Sequence, residues 1–257
     1  MKKLLRNQMK KIYFTCFQKK RKMSNGIELT YLHYKKVKSN QLVVVFSAMT
    51  NGDNKYAYNY IRTLKEMPCN RLFILDNFGL EKRGVFYLGE NGSMDVRDAV
   101  EELIQQIVKQ DNIRKTIFSG SSKGAFAALY IGIRMSVQHI IIGSPIVQIK
   151  LYLEGIANEN ALFKTISQSQ NNSNLYDELL LDTISEFDYA GKIYLQYSSK
   201  EETYQPHTQS LIKQLKQYNY EMELNEQAYL KHEDTRLFFP VFLHEKLGIC
   251  IKTDKKN

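Results

Sequence analysis

Several absences narrow this 257-residue chain before any motif is considered. It has no tryptophan, only three cysteines, and no apolar run near the roughly 20 residues that a membrane span needs. Cys16, Cys69 and Cys250 are far apart, odd in number and without metal-ligand spacing. That argues against a disulfide framework and a cysteine-bound metal, agrees with a reducing compartment, and leaves each cysteine as a small, partly buried hydrophobe. The N-terminus, "MKKLLRNQMKKIYFTCFQKKRKMSNG", starts basic like a secretory signal. Its apolar pieces, Leu4-Leu5 and Ile12 to Phe17, are interrupted by Arg6, Lys10 and Lys11, and no small-residue cleavage site follows. The chain therefore reads as cytoplasmic. It carries no internal repeat, no low-complexity block, and no helix-turn-helix, zinc-finger or aromatic RNA-binding signature, so nucleic acid is not an expected partner.

What is present is a foldable composition with a basic bias. Hydrophobic residues make up 43% of the chain, enough to fill a real core, and the formal net charge is +9. Much of the excess sits in the first 38 residues, as "KK", "KK", "KKRK" and "HYKKVK". Residues 1–25 read as a basic arm and 251–257 as a tail. A solvated tail is the ordinary account of such an arm. Peripheral contact with an anionic lipid surface at the inner membrane face, or with an acidic glycan, is the next.

Residues 26–250 read as one α/β domain. "GIELTYLHYKK" alternates apolar and polar residues, as a half-exposed strand or hairpin does. Short apolar runs rich in β-branched and aromatic residues follow at 41–48, 71–78, 115–121, 139–145 and 191–199. Several are apolar throughout their centres, which suits parallel strands buried on both faces. Between them lie helical stretches: "AYNYIRTLKEM", "SMDVRDAVEELIQQIVKQ" with a Ser93 cap, "GAFAALYIGIRM" and "TQSLIKQLKQYN". Alternating strands and helices predict a mostly parallel sheet flanked by helices. The interval 146–190 holds only amphipathic pieces such as "SNLYDELLLDTI". It reads as a helical cap inserted between two core strands, or as a pair of ordinary surface helices.

The junction "KTIFSGSSKGAFAALYIG" carries the chemistry. A phosphate loop needs Lys and Ser/Thr after its second glycine, but Lys123 precedes Gly124; a dinucleotide fingerprint needs three glycines where only Gly120 and Gly124 stand. Gly120-Ser121-Ser122-Lys123-Gly124 does satisfy G-x-S-x-G. A serine that must stand clear of a sheet sits on a sharp strand-to-helix turn, and residues two positions away must be small to avoid the neighbouring strand and helix. The helix N-terminus then favours developing negative charge. Ser122 is the candidate nucleophile; a serine-rich turn without chemistry is the alternative.

"FSGSSKGAFAALYIG", with the strand–helix order around it, resembles the α/β-hydrolase superfamily over about residues 26–250. More narrowly, with the C-terminal "HEDTRLFFPVFL", it resembles bacterial surface-glycan proteins: capsular-polysaccharide proteins of the XcbB/CpsF type and the acetyltransferase-like component of the accessory secretion system. The resemblance implies an α/β-hydrolase-like fold with a helical cap, and a serine esterase or O-acyltransferase that needs no metal or cofactor. Its substrate would be a small acyl ester or a glycan. It implies the chain order Ser, acid, His. The acid belongs in the loop after "KIYLQYSS", where Glu201 matches best and Glu202 competes. Of five histidines, only His232 combines this order with a loop that can reach the top of the sheet; His33, His139, His207 and His244 read as structural. The oxyanion hole would use the backbone N–H of Lys123 and one from Ser47 or Ala48, in the loop that runs through Thr50, Asn51 and Gly52. Tyr56, Tyr58 and Tyr60 follow that loop and could line a sugar site, although packing is the commoner fate of a tyrosine. A non-catalytic partner in a glycan-synthesis or secretion assembly is the alternative function.

Overall fold

A computed structural model describes residues 14, 16–49, 58–157, 159–167 and 174–252. Eight strands form one sheet: β1 (Lys19–Lys22), β2 (Glu28–Tyr34), β3 (Gln41–Phe46), β4 (Asn70–Leu75), β5 (Lys115–Ser121), β6 (His139–Gly143), β7 (Lys192–Ser198) and β8 (Glu221–Gln227). Their order is β1-β2-β4-β3-β5-β6-β7-β8. β1 with β2 and β2 with β4 are antiparallel, and the other neighbours run parallel. The helices given whole by the described residues are α1 (Asp95–Gln110), α2 (Lys123–Arg134), α3 (Asn160–Ile166), α4 (Leu175–Glu186), α5 (Ser210–Gln217) and α6 (Thr235–Lys252). Single π-helical turns lie at Leu151–Ile156 and Tyr204–Gln209. This is the α/β-hydrolase-like arrangement, a mostly parallel sheet with helices on both faces.

The period-2 geometry of the strands builds two cores from the apolar runs. Leu42, Val44, Phe46, Leu72, Ile74, Phe118, Ile140 and Ile142 face the helices α1, α2 and α4. Val43, Val45, Phe73, Ile117 and Ile141 point the other way, onto Phe239, Phe242, Leu243 and Leu247 of α6. The central strands are therefore apolar throughout rather than alternating.

Several local expectations change. β2 is not half exposed: Leu29, Thr30, Tyr31 and Leu32 are all buried, because β1 and β4 flank the strand and both faces are covered. The sheet starts before residue 26, since Lys19–Lys22 of the basic arm form β1, a fully exposed edge strand. The stretch "AYNYIRTLKEM" makes turns rather than a helix over its described part, residues 58–67; Tyr60 sits at φ 61°, outside helical backbone space. Ser93 does not cap α1. The helix starts one residue later than that role requires, with Met94 at its N-cap and no side-chain cap bond. The apolar stripe Val96, Val100, Leu103, Ile104 and Ile107 is buried. The interval between β6 and β7 holds the first π-helical turn, α3 and α4, and no strand among its described residues. No helix among the described residues is long and apolar enough to cross a membrane.

Candidate active site

The site grows from the bend between β5 and α2. Ser122 lies between them at φ 54°, ψ −121°, a conformation costing about 1–3 kcal/mol for a residue with a Cβ. Its neighbours explain how the bend is held. A Cβ on Gly120 would overlap the Gly124 carbonyl, and one on Gly124 would lie 2.5 Å from the Phe46 carbonyl oxygen of β3. The two glycines let helix and strands approach closely enough to force the turn. The Ser122 N–H donates to the Gly143 carbonyl at 3.0 Å, and its own carbonyl accepts the Ala125 N–H at 3.0 Å. The serine is thus fixed by the end of β6 and the first turn of α2.

Two loops from later in the chain meet it. The loop after β8 leads into the short turn His232–Asp234, and His232 Nε2 lies 2.8 Å from Ser122 Oγ. The loop after β7 delivers Glu201, whose Oε2 lies 3.1 Å from His232 Nδ1. Thr203 Oγ1 is also 3.1 Å from that nitrogen. Glu201 is 4% exposed and Glu202 is exposed, so their environments separate the two carboxylates that the sequence leaves in competition. Glu202 contacts the histidine's backbone instead: its carboxylate accepts the His232 N–H at 3.2 Å. With Nδ1–H donated to Glu201, Nε2 is left as the acceptor facing the serine hydroxyl. We expect Glu201→Gln to lower kcat/KM on an acyl ester by about 10³–10⁴-fold, through loss of the imidazole's orientation and charge partner. Glu202→Gln, which keeps an oxygen for the His232 N–H, should cost less than about tenfold. Steady-state rates of the two variants check the contrast.

The two π-helical turns supply surroundings that the sequence did not reveal. Tyr152 places its ring centroid 6.2 Å from that of His232 and 5.9 Å from that of His207. His207 is fully buried, and its Nδ1 accepts the Gln148 N–H at 3.2 Å. Burial, with the nearby His232 imidazole, pushes its pKa down to about 4. It is a neutral, structural histidine that ties the second π-turn to the chain leaving β6. His33 pairs with Asp111 at 3.0 Å, His139 opens β6, and His244 is exposed on α6, so none of the three reaches the site.

The oxyanion-hole candidates divide. Lys123 opens α2, where first-turn N–H groups lack intrahelical acceptors. The Ser47 N–H is donated to the hydroxyl of buried Tyr87 at 2.6 Å, and that hydroxyl in turn donates to the Ile74 carbonyl. Ser47 is therefore a poor donor to a substrate, because its amide is held inside the core. The Ala48 N–H is donated to Asn59 Oδ1 at 2.9 Å, a partly buried contact that a substrate oxygen could replace by moving one side chain. Thr50, Asn51, Gly52 and Tyr56 lie outside the described residues. Tyr58 stacks near Phe14, and Tyr60 packs on Phe239 with its hydroxyl 2.5 Å from Ser121 Oγ. Both are half-buried and packed against these neighbours.

A further feature escaped the sequence reading. The Lys123 side chain turns away from the site into the core, where Nζ lies 2.7 Å from Asp76 Oδ2; both residues are essentially unexposed. Burial pulls the Lys123 ammonium below its usual range, and Asp76 opposes that shift. Asp76 also accepts the Val85 and Tyr87 N–H groups at 3.0 and 3.1 Å. The signal was an aspartate at the end of an apolar strand, in "RLFILDNF". Among the described residues, no group of three or more His, Cys, Asp or Glu is placed to hold a metal ion.

No family model and no curated protein matches the sequence. Solved structures do match the fold. The capsule O-acetyltransferase of Neisseria meningitidis serogroup A superposes with a TM-score of 0.74 at 18% identity, over 91% of this chain and 99% of that one. A glycosylation-associated protein complex from Streptococcus agalactiae gives 0.73 at 18% identity, over 90% of this chain but only 46% of that one. An S-formylglutathione hydrolase from Agrobacterium tumefaciens gives 0.65 at 15% identity, over 90% and 92%. At these identities the likeness is one of fold.

Proposed function

We propose that this chain, on its α/β-hydrolase-like fold, is a serine-dependent acyl hydrolase or O-acyltransferase with Ser122 as nucleophile, His232 as general base and Glu201 as the acid. One observation carries the reading: the continuous contact from Ser122 Oγ through His232 to the buried Glu201 carboxylate, at 2.8 and 3.1 Å. In this mechanism His232 Nε2 takes the Ser122 proton as Oγ attacks the acyl carbonyl. Glu201 stabilises the imidazolium, and the tetrahedral oxyanion is held by the Lys123 N–H and, once Asn59 gives way, the Ala48 N–H. Collapse expels the alcohol or thiol, which takes the proton from His232, and leaves an acyl-Ser122 ester. Water or an acceptor hydroxyl, deprotonated by the same imidazole, then removes the acyl group. Water makes the chain an esterase, and a sugar hydroxyl makes it an O-acyltransferase. The fold shared with a capsule O-acetyltransferase supports a bacterial surface-glycan hydroxyl as the acceptor. No step of this mechanism calls on a metal or a cofactor.

A fluorophosphonate probe tests the nucleophile directly. The purified protein should be labelled once, on Ser122, and Ser122→Ala should remove the label. Absence of labelling at high probe concentration in folded protein would sink the enzymatic reading. It would favour a non-catalytic partner in a glycan or secretion assembly, a role that the likeness to the glycosylation-associated complex also supports.

A further inference from the structure

The loop that carries His232 is anchored at both ends by one buried serine. Ser144, directly after β6, is unexposed and sits at φ 39°, a conformation that glycine adopts with less strain. Its hydroxyl lies 2.5 Å from that of Tyr229 and accepts the Thr235 hydroxyl at 2.9 Å. Tyr229 precedes His232 by three residues and Thr235 follows it by three. Both are 4% exposed, whereas residues 230–234 between them are all exposed or half-exposed. No buried side chain fixes the loop along that stretch, so its course is set from its ends. Ser198 Oγ adds a bond to the Tyr229 carbonyl at 2.6 Å. Burial and the nearby Glu201 carboxylate push the Tyr229 phenol up to about 12, so it keeps its proton. The same corner holds Ser122: the Gly143 carbonyl accepts the Ser122 N–H, and the Ser144 N–H donates to the Gln196 carbonyl of β7 at 2.9 Å.

We propose that Ser144 is a positioning residue: through the hydroxyls of Tyr229 and Thr235 it holds His232 against Ser122, a role that rests on the catalytic reading above. Hydrogen bonds fix direction and length, where apolar contacts would let an exposed loop slide. His232 Nε2 is 2.8 Å from Ser122 Oγ, so a displacement of about 1 Å breaks the contact, and misplacement on that scale costs about 10²-fold in rate. The residue type fits the role. Glycine would ease the backbone at Ser144, and alanine would fill the same space. Only a hydroxyl meets both partners. Docking of α6 does not depend on it, because Phe239, one turn beyond Thr235, packs where Gly143 has no side chain. What the hydroxyls add is a fixed start to that helix and a fixed approach for the loop before it.

Three measurements on the full chain test this together: the rate of fluorophosphonate labelling, thermal unfolding, and the His232 ring resonance in protein carrying isotope-labelled histidine. Ser144→Gly removes the hydroxyl and relaxes the backbone, and Tyr229 and Thr235, 3.4 Å apart, still have each other. Its Tm should therefore stay near that of the wild type, while labelling slows by about 100-fold. Tyr229→Phe and Thr235→Val should each slow labelling by about 10-fold or more. Thr235→Ser, which keeps the hydroxyl, should bring the rate back. Tyr229→Phe added to Ser144→Gly should cost little further, because both cut the same bond. The His232 resonance should shift and broaden in Ser144→Gly, while that of His33, paired with Asp111, stays put. Labelling as fast as wild type in Ser144→Gly and Tyr229→Phe overturns the proposal and leaves the nucleophile standing. So does a slowed rate found only in variants that also melt well below the wild type, since the cluster would then serve stability alone. If the wild type takes no label, the catalytic reading fails by itself and the resonance decides. A His232 signal unmoved in Ser144→Gly then overturns the positioning role, and a shifted, broadened one supports it.

Discussion

Ser122→Ala should lower kcat/KM on a small acyl ester by about 10⁴-fold or more, and adding His232→Ala should then cost little further. The reasoning is geometric. Ser122 Oγ and His232 Nε2 are 2.8 Å apart, and in the proposed mechanism they act as one unit, the imidazole accepting the hydroxyl proton and returning it to the leaving group. Without the hydroxyl there is no proton to move, so the second loss is already contained in the first. Ser122→Ala keeps a Cβ at the same strained φ of 54°, so the bend and its glycine contacts persist and folding is spared. Rates for the two single variants and the double variant, each shown to be folded by circular dichroism, decide the matter. Losses that simply multiply would mean that the two residues act independently, and the proposed proton relay would fail.

The largest stability effect is expected at Asp76. Asp76→Ala leaves the Lys123 ammonium in the core without its counter-ion and removes the acceptor of the Val85 and Tyr87 amides. Breaking a buried pair from one side typically costs about 3–5 kcal/mol, which in a chain of this size lowers Tm by about 10 °C. Lys123→Met strands the carboxylate instead and should also be costly, though less so, because two backbone N–H groups still solvate it. Asp76→Asn combined with Lys123→Met removes both charges and keeps one acceptor. It should be more stable than Asp76→Ala, and thermal unfolding of the variants measures the difference. Catalysis should fall as well, since Lys123 is the residue that follows the proposed nucleophile. If Asp76→Ala melts with the wild type, the ammonium has found water or lost its proton, and the pair is not what pins the bend.

The strands were readable because the physics that makes them is local. Val43, Val44 and Val45, or Ile140, Ile141 and Ile142, are β-branched and apolar on consecutive residues, a pattern that a sheet covered on both faces demands. The bend at Ser122 was readable for a similar reason: its two glycines answer to backbone collisions set by the turn itself. What could not be read depends on contacts distant in sequence. Glu201 and Glu202 are the same residue type in adjacent positions, and only the arrival of His232, some thirty residues later, gives one the ring and the other the backbone amide. The segment at 58–67 has helical composition, but packing of Tyr60 on Phe239 and Ser121 holds it in a turn. Ser47 looked like an available amide because nothing in its neighbourhood announces that Tyr87, forty residues on, takes it.

The end strand Lys19–Lys22 has a consequence for how these molecules treat one another in a crowded solution. An unprotected outer strand invites a foreign strand to zip on, and uncontrolled stacking follows. Here that margin carries four cations in a row, all in water, so any newcomer must tolerate that field before it can form its first ladder bond. Fibre-like growth from this side is discouraged by electrostatic repulsion, and neutral apolar replacements along the margin would remove that repulsion and make the protein stickier.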